Sequence, residues 1–138
     1  MRLWIAIMLS KTSTQVINAL IELARLPEGQ CSGAKCIAKK INAPQNYLGK
    51  MLQQLAARKI VVSQKGLGGG FRLIRDPKKI SLYEVVEPID NVSLWSECTL
   101  GLKKCSDAAP CAVHPKWKIV RNTYYEFLKT TSIGDLVR

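Results

Sequence analysis

"PQNYLGKMLQQLAARKIVVSQKGLGGGFRLI", residues 44–74, changes its hydrophobic period halfway along. Up to Lys59 the residues Tyr47, Leu48, Met51, Leu52 and Leu55 recur at three- and four-residue steps, which makes one helix face apolar. Asn46, Lys50, Gln53 and Ala57 fall on the opposite face, with Gly49 among them. The helix is predicted to start at Pro44 or Gln45, since proline suits a first helical turn. From Ile60 the pattern becomes strand, glycine loop, strand. Ile60 to Lys65 and Phe71 to Ile74 are expected to pair as a hairpin around Gly66–Gly70.

Two helices precede this stretch. "SKTSTQVINALIELARL", residues 10–26, sets Val16, Ile17, Leu20, Ile21 and Ala24 on one face, and Pro27 and Gly29 stop it. A second helix is expected from Ser32, a good N-cap, to Ile41. Downstream, Pro77 ends the hairpin and Ser81 caps a short helix over "LYEVVEPID", residues 82–90. After Pro115, Trp117, Val120, Tyr124, Phe127 and Leu128 form one stripe of a long helix, and "SIGDLV", residues 132–137, makes a brief final turn.

Three helices followed by a two-stranded hairpin is the order of a winged helix-turn-helix, mostly α with a small β wing. A third helix with a polar outer face can enter a major groove, and a basic glycine-rich hairpin can approach a backbone or minor groove. Taken singly, that helix is an ordinary amphipathic one. "KGLGGG", residues 65–70, is by itself a hairpin turn or a weak phosphate loop. It lacks the Lys-Ser/Thr ending of a nucleotide-binding loop and precedes a strand rather than a helix. The order of elements together with the charge carries the DNA reading, because Lys39, Lys40, Lys50, Arg58, Lys59, Lys65 and Arg72 all lie in this half.

The whole chain is basic. Its 138 residues hold 21 Lys and Arg against 10 Asp and Glu, for a net charge of +11 and a pI near 9.7. That excess draws a protein to polyanions, nucleic acid first and an anionic membrane surface next. No apolar run approaches the roughly 20 residues of a membrane span, and the opening run is too short for a signal-peptide core. The expected compartment is the cytoplasm, where thiols stay reduced. The expected organisation is a DNA-binding domain over 8–90, a cysteine-rich loop over 91–115, and a dimerisation helix and tail over 116–138.

"ECTLGLKKCSDAAPCAVHP", residues 97–115, holds three of the five cysteines and the only histidine. Cys98, Cys105 and Cys111 follow C-x6-C-x5-C spacing, and His114 adds C-x2-H. Structural zinc sites prefer short C-x2–4-C knuckles, and none occurs here. Wider loops suit a larger thiolate-bound object such as an iron–sulphur cluster. Spacing alone leaves cluster, zinc and free thiols open. Cys31 and Cys36 are expected to be one loop thiol and one core thiol. With no second histidine, paired-carboxylate motif or nucleophile–base pair, enzyme readings fare worst. A small electron carrier is a further alternative, against which the basic helix-and-wing half argues.

The chain resembles the Rrf-two-type bacterial transcription regulators, the family of IscR, NsrR and CymR, from about Met8 to Val137. "LSKTSTQVINALIELA", residues 9–24, is similar to the family's first helix, and residues 47–86 follow its recognition helix, wing and connecting helix. The most specific part is the order of "KGLGGGFRL", a cysteine triplet, a tryptophan-led helix and a closing "TTSIGDLV". The resemblance implies a homodimer, often a repressor, bound to palindromic duplex DNA, with the long C-terminal helix reaching to the partner. Gln45, Asn46, Lys50 and Gln53 then become candidate base readers, since amides pair with adenine edges and lysine with guanine. Lys39, Lys40, Lys65 and Arg72 become phosphate contacts, with Tyr47 a further candidate, and Gly66, Gly68 and Gly69 shape the wing.

The resemblance also moves the cysteine triplet toward an iron–sulphur cluster. IscR-like members pair three cysteines with a histidine two residues past the last, as His114 is here. Relatives with a four-iron cluster take a carboxylate from the first helix, where this chain has Thr14 and no acid before Glu22. Cys98, Cys105, Cys111 and His114 are therefore the expected ligands of a two-iron, two-sulphur cluster, with a four-iron cluster the alternative. One departure is the six residues, rather than five, between Cys98 and Cys105. The formal charge would be about −1 oxidised and about −2 reduced, and Lys103 and Lys104 in the loop could offset it.

Overall fold

Ser10 caps the first helix, its hydroxyl accepting the Ser13 N–H at 3.1 Å. The computed structural model describes residues 9–93 and 112–137. Within them, α1 spans Lys11–Ala24, α2 Ala34–Ile41 and α3 Gln45–Ala57. The hairpin is β1, Val61–Gln64, against β2, Gly70–Leu73. A 3-10 turn, Pro77–Lys79, leads to α4, Leu82–Asp90; α5 spans His114–Thr130 and α6 Ile133–Leu136.

The apolar face of α1 is the centre of the core. Val16, Ala19, Leu20 and Leu23 are all buried, and α1 packs on α2, α3, β2, α4 and α6. Ile37 of α2, Leu48, Leu52 and Leu55 of α3, and Val85 and Val86 of α4 close around it. Ile60, Val61 and Phe71 anchor the wing to the same core, so the hairpin does not hang free. Its strands pair antiparallel from Val61↔Leu73 to Gln64↔Gly70.

Ser32 differs from its predicted role. The helix begins at Ala34 with Gly33 as N-cap, and Ser32 is instead a one-residue third strand. Its N–H donates to the Phe71 carbonyl at 2.9 Å, and its carbonyl accepts the Phe71 N–H at 2.8 Å. The outer edge of β2 would otherwise leave both groups unpaired, and that tertiary demand overrides the local capping preference. Gly70 makes the approach possible. A Cβ there would lie 2.5 Å from the Ser32 carbonyl carbon, and its φ of +133° belongs to glycine.

The chain end is tied back to the wing side. The Leu82 N–H donates to Thr131 O at 2.9 Å and the Ile133 N–H to Ile80 O at 2.8 Å. Gly134 lies against the Lys78 backbone, where a Cβ would stand 2.8 Å from the Lys78 nitrogen. The Tyr125 hydroxyl donates to Val92 O at 2.7 Å, joining α5 to the segment after α4.

The stripe on α5 divides. Tyr124 and Leu128 are buried, whereas Val120 and Phe127 are about half exposed and Ile119 is 68 % exposed. Burial, with the Asp90 carboxylate adding to it, pushes the Tyr124 phenol up to about 12 from 10.0. Tyr83 and Tyr125 shift the same way, again chiefly through burial. A folded-state pKa above the unfolded one means stability intact below about pH 10 and lost as pH climbs toward 12. Thermal midpoints followed together with tyrosinate absorbance should stay level to about pH 9.5 and then fall.

Candidate nucleic-acid interface

The polar side of α3 faces solvent as its spacing predicts. Asn46, Lys50, Gln53 and Ala57 are exposed, while Leu48, Leu52 and Leu55 are buried. Gln45, Asn46, Gly49, Lys50 and Gln53 line a depression of about 520 Å³ together with Ala34 of α2 and Phe71 of β2. All four candidate base readers thus border one shallow, open depression. At Gly49 a Cβ would meet Ala34 at an ordinary 3.7 Å, so packing does not demand glycine there.

Tyr47, assigned by its spacing to the inner face, is 46 % exposed. It lies in the first turn of α3, beyond the cover of the core, and its hydroxyl accepts from Thr12 Oγ1 at 3.1 Å. The first turn of α3 holds no acid and its N-cap, Pro44, offers no side-chain hydrogen bond. The N–H groups and positive partial charge at that end suit a phosphate.

The basic residues are spread around this surface. Lys39 is exposed in the last turn of α2, Lys65 is exposed beyond β1, and Arg72 in β2 stands opposite Val62. Gly66 and Gly68, with φ of +91° and +73°, turn the hairpin, and the Gly69 N–H donates to Gly66 O at 3.0 Å. Lys40 points elsewhere: its Nζ lies 4.0 Å from Glu22 Oε2, beside the Arg25–Glu22 pair on α1. It borders a separate depression of about 400 Å³ with Asn18, Ile21 and Leu136. The structure therefore groups Gln45, Asn46, Lys50 and Gln53, sets Lys65, Gly66, Gly68 and Gly69 on the wing, and parts Lys40 from both.

Cys98, Cys105 and Cys111 lie outside the described residues. His114 is the first residue of α5 and only 5 % exposed. Among the described residues no three His, Cys, Asp or Glu side chains group as a metal site. Neither remaining cysteine is in the core. Cys36 is exposed because Ile37, Ala38 and Ile41 take the inner face of α2, and the half-buried Cys31 thiol donates to Gln64 Oε1 at 3.0 Å.

Sequence reading missed Asp90. Its Oδ2 accepts the Ser10 N–H at 3.1 Å and the Ser13 hydroxyl at 2.7 Å, so the last residue of α4 caps the start of α1. An acid at a helix C-terminus opposes the local dipole, and that mismatch was the available signal.

A core of three helices carrying an anchored hairpin, with a basic polar-faced third helix beside it, defines a winged-helix DNA-binding protein. The chain belongs to the Rrf2 family, described as iron-dependent transcriptional regulators, whose pattern matches residues 9–138. It is 36 % identical over 129 residues to a protein of Aquifex aeolicus named among the HTH-type transcriptional regulators, covering 91 % of this chain and 90 % of that one. It is 24 % identical over 129 residues to the HTH-type transcriptional regulator IscR of Cronobacter sakazakii, covering 94 % and 79 %. The structure of CymR, the global cysteine regulator of B. subtilis, superposes with a TM-score of 0.76 at 22 % identity, covering 93 % and 94 %. The protein is thus a transcriptional regulator and not an enzyme. Among the described residues no helix is long and apolar enough to cross a membrane.

Proposed function

We propose that the protein is a cytoplasmic, homodimeric repressor whose grip on a palindromic operator is set by an iron–sulphur cluster. One observation carries the DNA half: the depression that unites Gln45, Asn46, Lys50 and Gln53 with the wing base at Phe71. In this reading α3 enters a major groove and those four side chains meet base edges. Lys39, Lys65 and Arg72 neutralise phosphates, Tyr47 hydrogen-bonds another, and Gly66, Gly68 and Gly69 let the wing backbone come close. Lys40 joins them only by leaving Glu22. The half-exposed Val120 and Phe127, with Ile119, give α5 an apolar surface that a second copy would cover. Two copies related by a twofold axis then present two α3 helices to successive major grooves.

The donor set fits a cluster. Three thiolates from Cys98, Cys105 and Cys111 and the imidazole of His114 are ligands iron accepts, and two-iron, two-sulphur is the favoured species. His114 is held at the amino end of α5, whose positive partial charge complements an anionic group. When bound, such a cluster supplies a one-electron redox change and, through an imidazole ligand, a bond that protonation weakens. Regulation without a cluster, by zinc, thiol oxidation or a partner protein, is the second reading, and the Cys31 thiol against β1 of the wing supports its thiol form. Anaerobic purification with iron and sulphide counting separates the two. A brown, iron- and sulphide-bearing protein whose visible spectrum changes in His114→Ala is expected; a colourless, iron-free product, or a spectrum untouched by that substitution, would overturn the cluster or the ligand.

Lys65→Ala is expected to weaken all duplexes alike and to lower the salt slope of binding by about one. Titrating two unrelated duplexes at several salt concentrations measures this. A loss confined to one sequence would reassign Lys65 to base reading.

A further inference from the structure

The wing ends in one apolar side chain with bare backbone around it. Leu67 is fully exposed, at 108 %, between Gly66 and Gly68, and Gly69 follows. The turn is shaped rather than slack. Positive φ at Gly66 and Gly68 and the Gly69–Gly66 hydrogen bond define it, and a Cβ on Gly69 would sit 2.9 Å from the Gly66 carbonyl oxygen. A lone exposed leucine on a flat surface is ordinary. Here it crowns a strand pair anchored to the core through Val61 and Phe71, on a protein of net charge +11, with Lys65 at its shoulder.

A minor groove about 6 Å wide excludes a helix but admits thin backbone bearing a single side chain. Apolar wedges, leucine among them, part base steps from that groove, and flexible pyrimidine–purine steps yield most readily. Resting on the DNA-binding function above, we propose that Leu67 inserts into the minor groove beside the α3 half-site and reads the deformability of one step there. Lys65 would hold the adjoining phosphate, and the missing side chains at positions 66, 68 and 69 let the leucine reach the groove floor. Specificity then extends to a base step that no hydrogen-bonding side chain touches.

The test uses the full-length protein and synthetic duplexes that share one selected operator and differ only at the flanking step, TA or GC. End-to-end energy transfer reports bending and 2-aminopurine fluorescence reports unstacking. Wild type is expected to bind the TA duplex about tenfold more tightly than the GC duplex, and to bend and unstack it. Leu67→Ala should erase that preference and the unstacking while keeping the salt slope, and Leu67→Met should restore both. Because the side chain touches no core, unfolding midpoints should match wild type. A Leu67→Ala protein that still prefers and bends the TA duplex overturns the wedge but not the DNA-binding function. A wild type that binds no duplex overturns both.

Discussion

Gly70→Ala is expected to destabilise the fold by at least about 3 kcal/mol and to release the wing from α2, measured as a lowered urea midpoint and loss of operator binding. Two independent faults combine. A φ of +133° is strained for any side chain, at about 1–3 kcal/mol. The new methyl would also stand 2.5 Å from the Ser32 carbonyl carbon and 2.6 Å from the Gly33 nitrogen, both backbone atoms that cannot swing aside. Relief requires opening the Ser32–Phe71 bridge and its two hydrogen bonds, at about 1 kcal/mol each. That bridge joins β2 to the residue pair just before α2. Opening it shifts the hairpin relative to the α3 depression that Phe71 helps to line. A DNA-binding defect larger than the stability loss explains is therefore part of the expectation. An unchanged urea midpoint would show that the bridge tolerates displacement.

Asp90→Ala is expected to cost about 1–4 kcal/mol. The Ser13 side chain, fully buried, would lose the acceptor of its hydroxyl, and an orphaned buried polar group costs about 1–3 kcal/mol. The carboxylate also faces the amino end of α1, where a negative charge stabilises by roughly 0.3–1 kcal/mol. Asp90→Asn keeps an acceptor but not the charge, so its loss should be the smaller. The charge has a second reporter: Asp90 is part of what raises Tyr124 to about 12, so both variants should move that phenol back toward 10.0. Chemical denaturation gives the first quantity and spectrophotometric titration the second. Asp90 lies four residues before the undescribed stretch 94–111, so it joins the threshold of the cysteine segment to α1. Through Thr12 and Tyr47, α1 in turn touches the first turn of α3.

What the sequence disclosed follows from how local each determinant is. The α1 and α3 faces, the Ser81 cap and the glycine hairpin all depend on residues within one or two turns of each other. Periodicity and capping chemistry reach that far. Ser32 was misjudged because its partner, Phe71, is 39 residues away, and a capping preference cannot foresee a strand edge in need of partners. For Asp90 the only local mark is an acid opposing its own helix dipole, because its partners lie 77 and 80 residues off. Tyr47 shows the limit of a helical wheel: Leu48, one residue on, turns into the core at 2 % exposure, whereas Tyr47 stays 46 % exposed at its edge beside Thr12 of α1. At the candidate site, spacing placed Asn46, Lys50 and Gln53 on one outer face, whereas their union with Ala34 and Phe71 needed the fold. Likewise the pairing of Lys40 with Glu22 arises between α1 and α2 and leaves no trace in either segment alone.

If Cys98, Cys105, Cys111 and His114 hold a regulatory centre, its state changes how the α3 and wing surface holds DNA. The most direct measurement is anaerobic titration of one selected operator with cluster-loaded protein and with the same preparation stripped of iron. A difference of about 5- to 150-fold, the usual span of coupling between sites, is the predicted result. Equal affinity of the two forms across the salt range would contradict it.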